Sequence, residues 1–584
     1  MKDGRMNAER LFALYERVAD APDAVARLRR LVLDLAVRGK LVEQDPNDEP
    51  ASELLKRIAR TKNEETAPRR TTKERLLADV KAPPFCLPPT WHWARLGEVA
   101  ELVRGISFPA SAKSNMPGDG RIPCLRSGNI QTDIVWEDFI YVSEDVLKSR
   151  RQLVRTGDVL ISIANSYALV GKCSIVDAVP YSATFGAFLA AIRLYLVLPA
   201  YAKTFLTSDS STKAFRVGSS QTTNIANITF STIRDHPIAL PPLAEQHRIV
   251  AKVGELMALL DRLETARTER EATRDRLTTA SLARLTASDT TSETFPAHAC
   301  FAIDALPALT TRPDQIKALR QTIRNLAVRG KLVEQDSDEE PASVLLKRIE
   351  SEKARLVKVG ALKPERRSKE ADLKVERFEL PSGWAWTSLQ SVCLSISDGD
   401  HQPPPKSEAG VPFLVIGDVR TKKINYASER RVQQDYFDRI DPIRRPQLGD
   451  LLYTLVGSFG IPIPVRSNQP FCVQRHIAIL RPAKQVNPFA LAICLESEFV
   501  FAQSETAATG IAQKTVPLAA LRSLTLPLPP LAEQLRIVAK LDALMALCDR
   551  LEATLITADA TEQHLLEALI HEALSGSSSS REAA

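Results

Sequence analysis

The side chains of this chain that could do chemistry are mostly of the kinds that grip and read polar edges. In one stretch Arg104, Lys113, Arg126, Ser127 and Asn129 precede a Gly-Asp turn, Asn165, Ser166, Tyr167 and Lys172 follow it, and Gln221, Thr222 and Asn224 come near the end. In a second stretch the matching places hold Asp398, His401 and Lys406, then Arg420, Lys422 and Lys423, then Ser458 and Phe459, then Arg475 and His476, and finally Gln513 and Lys514. Arg, Asn, Gln and Ser can pair with base edges in the major groove of duplex DNA, while Lys and Arg neutralise phosphates. Each residue alone is ordinary surface. Arg150-Arg151 and Arg444-Arg445, however, recur just before the Gly-Asp turn of each stretch, as a shared phosphate contact would require.

Bond-breaking motifs are missing. Ala82-Pro83-Pro84-Phe85 is similar to the Asn/Asp-Pro-Pro-aromatic loop of amino-methyltransferases, but alanine offers no acceptor for a target amine, and no glycine-rich cofactor loop lies upstream. Gly-Lys at 39–40, 171–172 and 330–331 is never followed by Ser or Thr, so no phosphate-cradling P-loop is present. Asp398-Gly399-Asp400-His401 lacks a partner histidine cluster and reads as a polar loop. Eight cysteines stand singly with no CxxC pair and read as reduced thiols. No metal site and no cofactor bound by this chain are expected.

The elements that must position these residues come in duplicate. The 32 residues from Leu28 return from Leu319 with 22 identities, both carrying LAVRGKLVEQD, and the 25 from Leu240 return from Leu528 with 20, both carrying LPPLAEQxRIVAK. At 584 residues several domains are expected, and this repeat shows where to divide them. Glu49-Pro50-Ala51-Ser52 and Glu340-Pro341-Ala342-Ser343 break the first repeat into helix, turn, helix, because proline disfavours helix at the residue before it. After Pro-Pro in the second repeat, Ile249, Val253, Leu256, Leu260 and Leu263 fall at intervals of 4, 3, 4 and 3, as do Ile537, Leu541, Leu544, Cys548 and Leu551. This heptad seam predicts two long helices, running to near Leu285 and Leu574, that pack on each other or on a docking partner. Between the repeats lie divergent blocks opened by LPPTWHWARL from Leu87 and LPSGWAWTSL from Leu380, whose alternating tryptophans read as a strand anchoring block to frame. GlyAspValLeuIleSerIle at 157–163 and GlyAspLeuLeuTyrThrLeu at 449–455 read as a turn into a buried strand.

Net charge is +6, from 77 basic and 71 acidic side chains, too mild to establish nucleic-acid binding by itself. No run of about 18 apolar residues suggests a membrane span, and the amino terminus lacks a signal-peptide core, so a cytoplasmic protein is expected.

Two copies of LAVRGKLVEQD and LPPLAEQxRIVAK around two divergent blocks resemble the specificity subunit of Type I restriction-modification systems, from about Pro22 to Leu574. The resemblance implies an α+β fold with two mixed α/β target recognition domains joined by long antiparallel coiled-coil helices and an internal pseudo-twofold repeat. It divides the chain into a helical segment at 1–84, recognition domains at 85–240 and 375–527, a central conserved region at 241–374 and a carboxy-terminal helix with tail at 528–584. It also implies that the chain reads a bipartite, asymmetric double-stranded DNA site without catalytic residues of its own, and docks two methyltransferase subunits and restriction subunits. S-adenosylmethionine, ATP and Mg2+ belong to those partners. The rival classes are an enzyme acting alone and a scaffold whose blocks grip protein.

Overall fold

A computed structural model describes residues 6–19, 21, 23–66, 84–221, 225–287, 289–291, 293–364, 377–400, 407–510 and 513–575. Residues 67–83 and 365–376, in the charged stretches that follow the two copies of the first repeat, and the tail after Ser575 lie outside these residues. The chain divides into two compact units, residues 1–269 with 559–584 and residues 270–558. No described helix is long and apolar enough to cross a membrane.

After a preceding helix, Ala8–Glu16 in the first unit and Phe295–Leu309 in the second, each unit carries the same pair of helices, Ala24–Val37 and Ala51–Thr66 in the first and Pro313–Val328 and Ala342–Lys358 in the second. Leu28, Leu31, Val32 and Leu35 bury one stripe of helix 24–37, as Ile316, Ile323 and Ala327 do for helix 313–328. Both helices stop at a glycine in the left-handed region, Gly39 (φ +68°) and Gly330 (φ +69°). The following amide reaches back to close the last turn, Lys40 N–H to the Leu35 carbonyl at 2.9 Å and Lys331 N–H to Leu326 at 3.0 Å. A β-carbon at either glycine would also lie 2.4 Å or less from a ring carbon of Pro88 or Pro381, so the LAVRGK glycine is fixed by conformation and by space.

The long helices span Leu243–Thr286 and Leu531–Ser575. Their heptad residues are covered within each unit. Ile249, Leu256 and Leu260 are fully buried, with Val253 nearly so and Leu263 partly, in the same core as Leu28, Leu31 and Leu35. Ile537, Leu541 and Cys548, with Leu544 and Leu551 partly buried, share a core with Ile316, Ile323 and Ala327. Ion pairs run along the contact: Arg29 to Glu264 at 2.7 Å in the first unit, and Arg320 to Asp549 and Glu552 at 2.6 and 2.7 Å in the second. The ten residues therefore do not form a free docking seam; they seat each long helix on a frame helix of its own unit. A 4-3-4-3 spacing says that a helix buries one stripe, not what covers it.

Each frame helix also receives the far end of the other long helix. Arg27 pairs with Glu567 at 3.1 Å and Lys40 donates to the Leu574 carbonyl in the first unit. In the second, Arg312 pairs with Glu271 at 2.6 Å and Asp275 at 2.8 Å, and Lys331 donates to the Thr290 carbonyl at 2.9 Å.

The variable blocks are joined to the frame by antiparallel strand pairs, His92–Arg95 with Pro237–Leu240 and Ala385–Ser388 with Thr525–Leu528. Beyond these, each block carries a four-stranded antiparallel sheet. Its order is 100–104, 189–194, 159–162, 173–175 in the first unit and 393–398, 477–482, 451–454, 462–464 in the second. The Gly-Asp strands Val159–Ser162 and Leu451–Thr454 are fully buried, with their apolar residues in the core and the Ser162 and Thr454 hydroxyls hydrogen-bonded. Smaller sheets flank them, among them a three-stranded ribbon in which strand 226–227 lies between 220–221 and 164–165.

Candidate nucleic-acid interface

The blocks are held to the frame by a carboxylate clamp that occurs twice. The Trp91 indole N–H donates to Glu245 Oε2 at 2.9 Å, and Gln44 donates to the other oxygen. Trp384 and Gln335 do the same for Glu533, both at 2.8 Å. Burial pushes both carboxyls above their ordinary range, and the donors counter it. The second tryptophan of each signature packs in a cluster of tilted and edge-on rings, Phe85–Trp93–Phe205 and Phe378–Trp386–Phe499, with Arg38 lying over Phe85 at 4.8 Å and Arg329 over Phe378 at 4.5 Å. Phe85, the aromatic residue of the methyltransferase-like Ala82-Pro83-Pro84-Phe85 sequence, is thus a packing residue; Ala82 and Pro83 lie outside the described residues.

The Gly-Asp aspartates are structural. Asp158, 2% exposed, accepts from Arg193 at 2.9 Å, and Asp450 accepts from Arg481 at 2.9 Å. Those guanidiniums also donate to the carbonyls of Leu153 and Arg445, tying the incoming loop to the neighbouring strand.

At the opposite end of the same strand the candidate readers of the first block converge. Asn165 donates to Ser162 Oγ at 3.2 Å, Ser162 Oγ reaches Ser127 Oγ at 3.4 Å, and the Ser162 amide is held by the Lys172 carbonyl at 2.8 Å. Lys172 Nζ donates to Gln131 at 2.7 Å. Ser166 and Tyr167 follow directly, with Tyr167 exposed, and Gln221 joins through the ribbon, where it pairs with Ala226 and Ala226 with Asn165. Ser127, Asn165, Ser166, Tyr167, Lys172 and Gln221 therefore form one polar edge.

The equivalent edge in the second unit is built from Ser458, Arg475, His476, Gln513 and Lys514. The Ser458 carbonyl accepts from Thr454, Gly457 N–H donates to the Lys514 carbonyl at 3.0 Å, and Arg475 Nε approaches His476 Nε2 at 3.3 Å. Burial and the neighbouring Arg475 lower the His476 pKa. Lys514 also lies 3.8 Å from Glu505.

Several expected readers stand elsewhere. Asn129 is 4% exposed, accepts from the Arg126 amide and donates to the Val135 and Glu137 carbonyls, so it shapes its loop. Phe459 stacks on Phe501, with centroids 5.7 Å apart and planes 7° from parallel, and belongs to the core edge. Three of the four paired arginines are held internally: Arg151 by Glu101, Arg444 by Asp398 and the Gly399 carbonyl, and Arg445 by the carbonyls of Ile440 and Asp438 while lying over Phe437. Their recurrence thus marks a loop anchor, and Arg150 alone stands exposed without such a tie. Arg126 pairs with Asp138, Lys422 with Glu496, and Arg104 lies over Phe230. Lys113, on a separate edge strand, and Arg420 and Lys423 are exposed. Thr222, Asn224, His401 and Lys406 lie outside the described residues.

One residue of this edge escaped the sequence reading. Phe188 is 63% exposed, and its carbonyl accepts from Ile163 N–H at 2.9 Å, as the His476 carbonyl does from Leu455 N–H. Both residues precede the arginine of the buried ion pair by five positions, and aligning Arg193 with Arg481 would have found Phe188. Among the described residues no group of three or more His, Cys, Asp or Glu side chains could hold a metal ion.

Residues 88–271 and 398–558, together more than half of the chain, match the Type I restriction modification DNA specificity domain. The chain belongs to this family. It is 31% identical over 581 residues to the Type I restriction enzyme EcoAI specificity subunit of Escherichia coli and 30% identical over 577 to the EcoEI specificity subunit of Escherichia coli, with 94% of each chain covered in both cases. A crystal structure of an HsdS subunit from Thermoanaerobacter tengcongensis matches 84% of this chain and 98% of its own at 21% identity, with a TM-score of 0.43. As a Type I specificity subunit, the chain is a component devoted to DNA sequence recognition, and its two family domains hold the two polar edges described above.

Proposed function

We propose that each block reads one half of a bipartite, asymmetric double-stranded DNA site, and that the chain supplies no catalytic group. The observation that carries this reading is that both units build the same strand-end edge on the same clamp and ion pair, yet line it with different side chains: Asn165, Tyr167 and Phe188 in one, Ser458, Arg475 and His476 in the other. Equal scaffolds with unequal edges suit two different half-sites.

The near-identical frames suit two copies of one methyltransferase subunit, to which restriction subunits are added, because a repeated surface binds a repeated partner. Each frame helix takes the start of one long helix and the end of the other, which supports a pseudo-twofold arrangement with antiparallel long helices as a spacer. S-adenosylmethionine, ATP and Mg2+ would reside on the partners, and the target adenines would be flipped into partner pockets, since a stacked base is sterically closed to chemistry. The mild net charge fits a cytoplasmic complex whose other subunits supply many phosphate contacts.

The test is to replace residues 85–240 with the block of a relative and map methylated adenines in the host genome. One half of the recognised sequence should change while the other stays. A change in both halves, or in neither, would overturn the modular reading, and methylation by the purified chain alone would overturn its non-catalytic role.

A further inference from the structure

The turn that carries Phe188 and His476 is fixed in the same unusual way in both blocks. Gly105 lies so close to it that a β-carbon there would sit 2.1 Å from the Gly186 carbonyl oxygen, and one on Gly399 would sit 1.9 Å from the Val473 carbonyl oxygen. Parallel bridges join Ile106 to Gly186 and Asp400 to Gln474, and the carbonyls of Phe188 and His476 are held by Ile163 and Leu455, directly after the Gly-Asp strands. The backbone is thus pinned from two sides, and the two residues that follow the bridge differ in chemistry: Ala187-Phe188 against Arg475-His476.

We propose that this pinned pair is the principal base-reading position of each block, with Ala187-Phe188 taking the C5-methyl of a thymine and Arg475-His476 taking the O6/N7 edge of a guanine. An exposed phenylalanine whose carbonyl is held by Ile163, at the end of the strand that carries Ser162, has no polar atom to pair with a base, and an apolar contact to the thymine methyl is the major-groove feature that fits it. Arg475 is exposed and donates its Nε–H to His476 Nε2 at 3.3 Å, and its two terminal Nη groups would supply the bidentate guanine contact. This assignment rests on the reading of the blocks as half-site readers.

The experiment uses the complex reconstituted with its modification subunits and duplexes carrying the genome-mapped site. Each thymine of the first half-site is replaced singly by deoxyuridine, and each guanine of the second by 7-deazaguanine. With the wild-type chain, one thymine-to-deoxyuridine change should slow methylation about fourfold, the value of one buried methyl, and one 7-deazaguanine should slow it about 5- to 150-fold. Phe188→Ala should abolish the first sensitivity and Arg475→Ala the second, each leaving the other half-site's sensitivities intact as the internal control for folding and assembly. Phe188→Leu should keep part of the methyl sensitivity. Wild-type indifference to every such change, or variants that keep the sensitivities, overturns the assignment while leaving the half-site reading in place. A Phe188 variant that alters the second half-site, or a wild-type complex that methylates no bipartite sequence, overturns both.

Discussion

Gly105 and Gly186 meet backbone to backbone, with no room for a β-carbon between them, and Gly399 meets Val473 in the same way in the second block. The glycine is required here by space, since the opposing atom is a carbonyl oxygen that cannot rotate aside.

Gly105→Ala and Gly399→Ala should each displace the turn beside the edge. A displacement of about 1 Å in a recognition group costs on the order of 100-fold in rate. Methylation of duplexes carrying either half-site in altered form should show that each variant loses discrimination in its own half only.

Arg193→Met should leave Asp158 buried and unpaired, at a cost of about 3–5 kcal/mol, and Arg481→Met should do the same for Asp450. Thermal unfolding of each variant would measure it. Unfolding indistinguishable from wild type would show that the ion pair does not hold the loop.

His236 is buried against Phe215 at 4.4 Å with Nε2 3.1 Å from Ser211 Oγ, and desolvation lowers its pKa to about 4. The folded value lies below the unfolded value of about 6.5. The neutral ring therefore contributes stability that is complete above pH 6.5 and is lost as pH falls toward 4, by up to about 3 kcal/mol. Denaturant unfolding across this window should show a shallower decline in His236→Phe than in the wild type. Three buried carboxyls oppose the trend: Asp34, Glu245 and Glu533 have raised pKa values, so their contribution grows as pH falls, and only the difference between variant and wild type isolates the histidine.

Leu256→Ala should cost about 2–5 kcal/mol, as for a fully buried core leucine, whereas Leu544→Ala, at the partly buried equivalent position, should cost less. Equal, negligible losses in calorimetry would mean that the stripe is not core.

The frame was largely legible in the sequence because it is local. The proline break is explained by residues within a few positions, and the strand at the tryptophan signature by local alternation and by the repeat itself, whereas the partners Glu245 and Glu533 of its tryptophans lie about 150 residues away. The covering of the heptad stripe was not legible, since periodicity reports burial without naming the partner. Polar residues were assigned to the edge by type, and type cannot separate Asn165, on the edge, from Asn129, turned inward to three backbone groups. Phe188 was hidden for the converse reason: within Thr-Phe-Gly-Ala-Phe-Leu-Ala-Ala-Ile it looks like one more core residue of a strand.

The pairing of His92 with Leu240, and of Ala385 with Leu528, brings the two ends of each variable block into adjacent strands. Opposed residues in such a pair lie about 5 Å apart, so the frame meets its insert at a narrow two-wire socket and places little demand on what is plugged in beyond it. Recombination between relatives at these two short strands would exchange a whole cassette without disturbing the clamp at Glu245 or Glu533, and new target sequences could arise in a single genetic step.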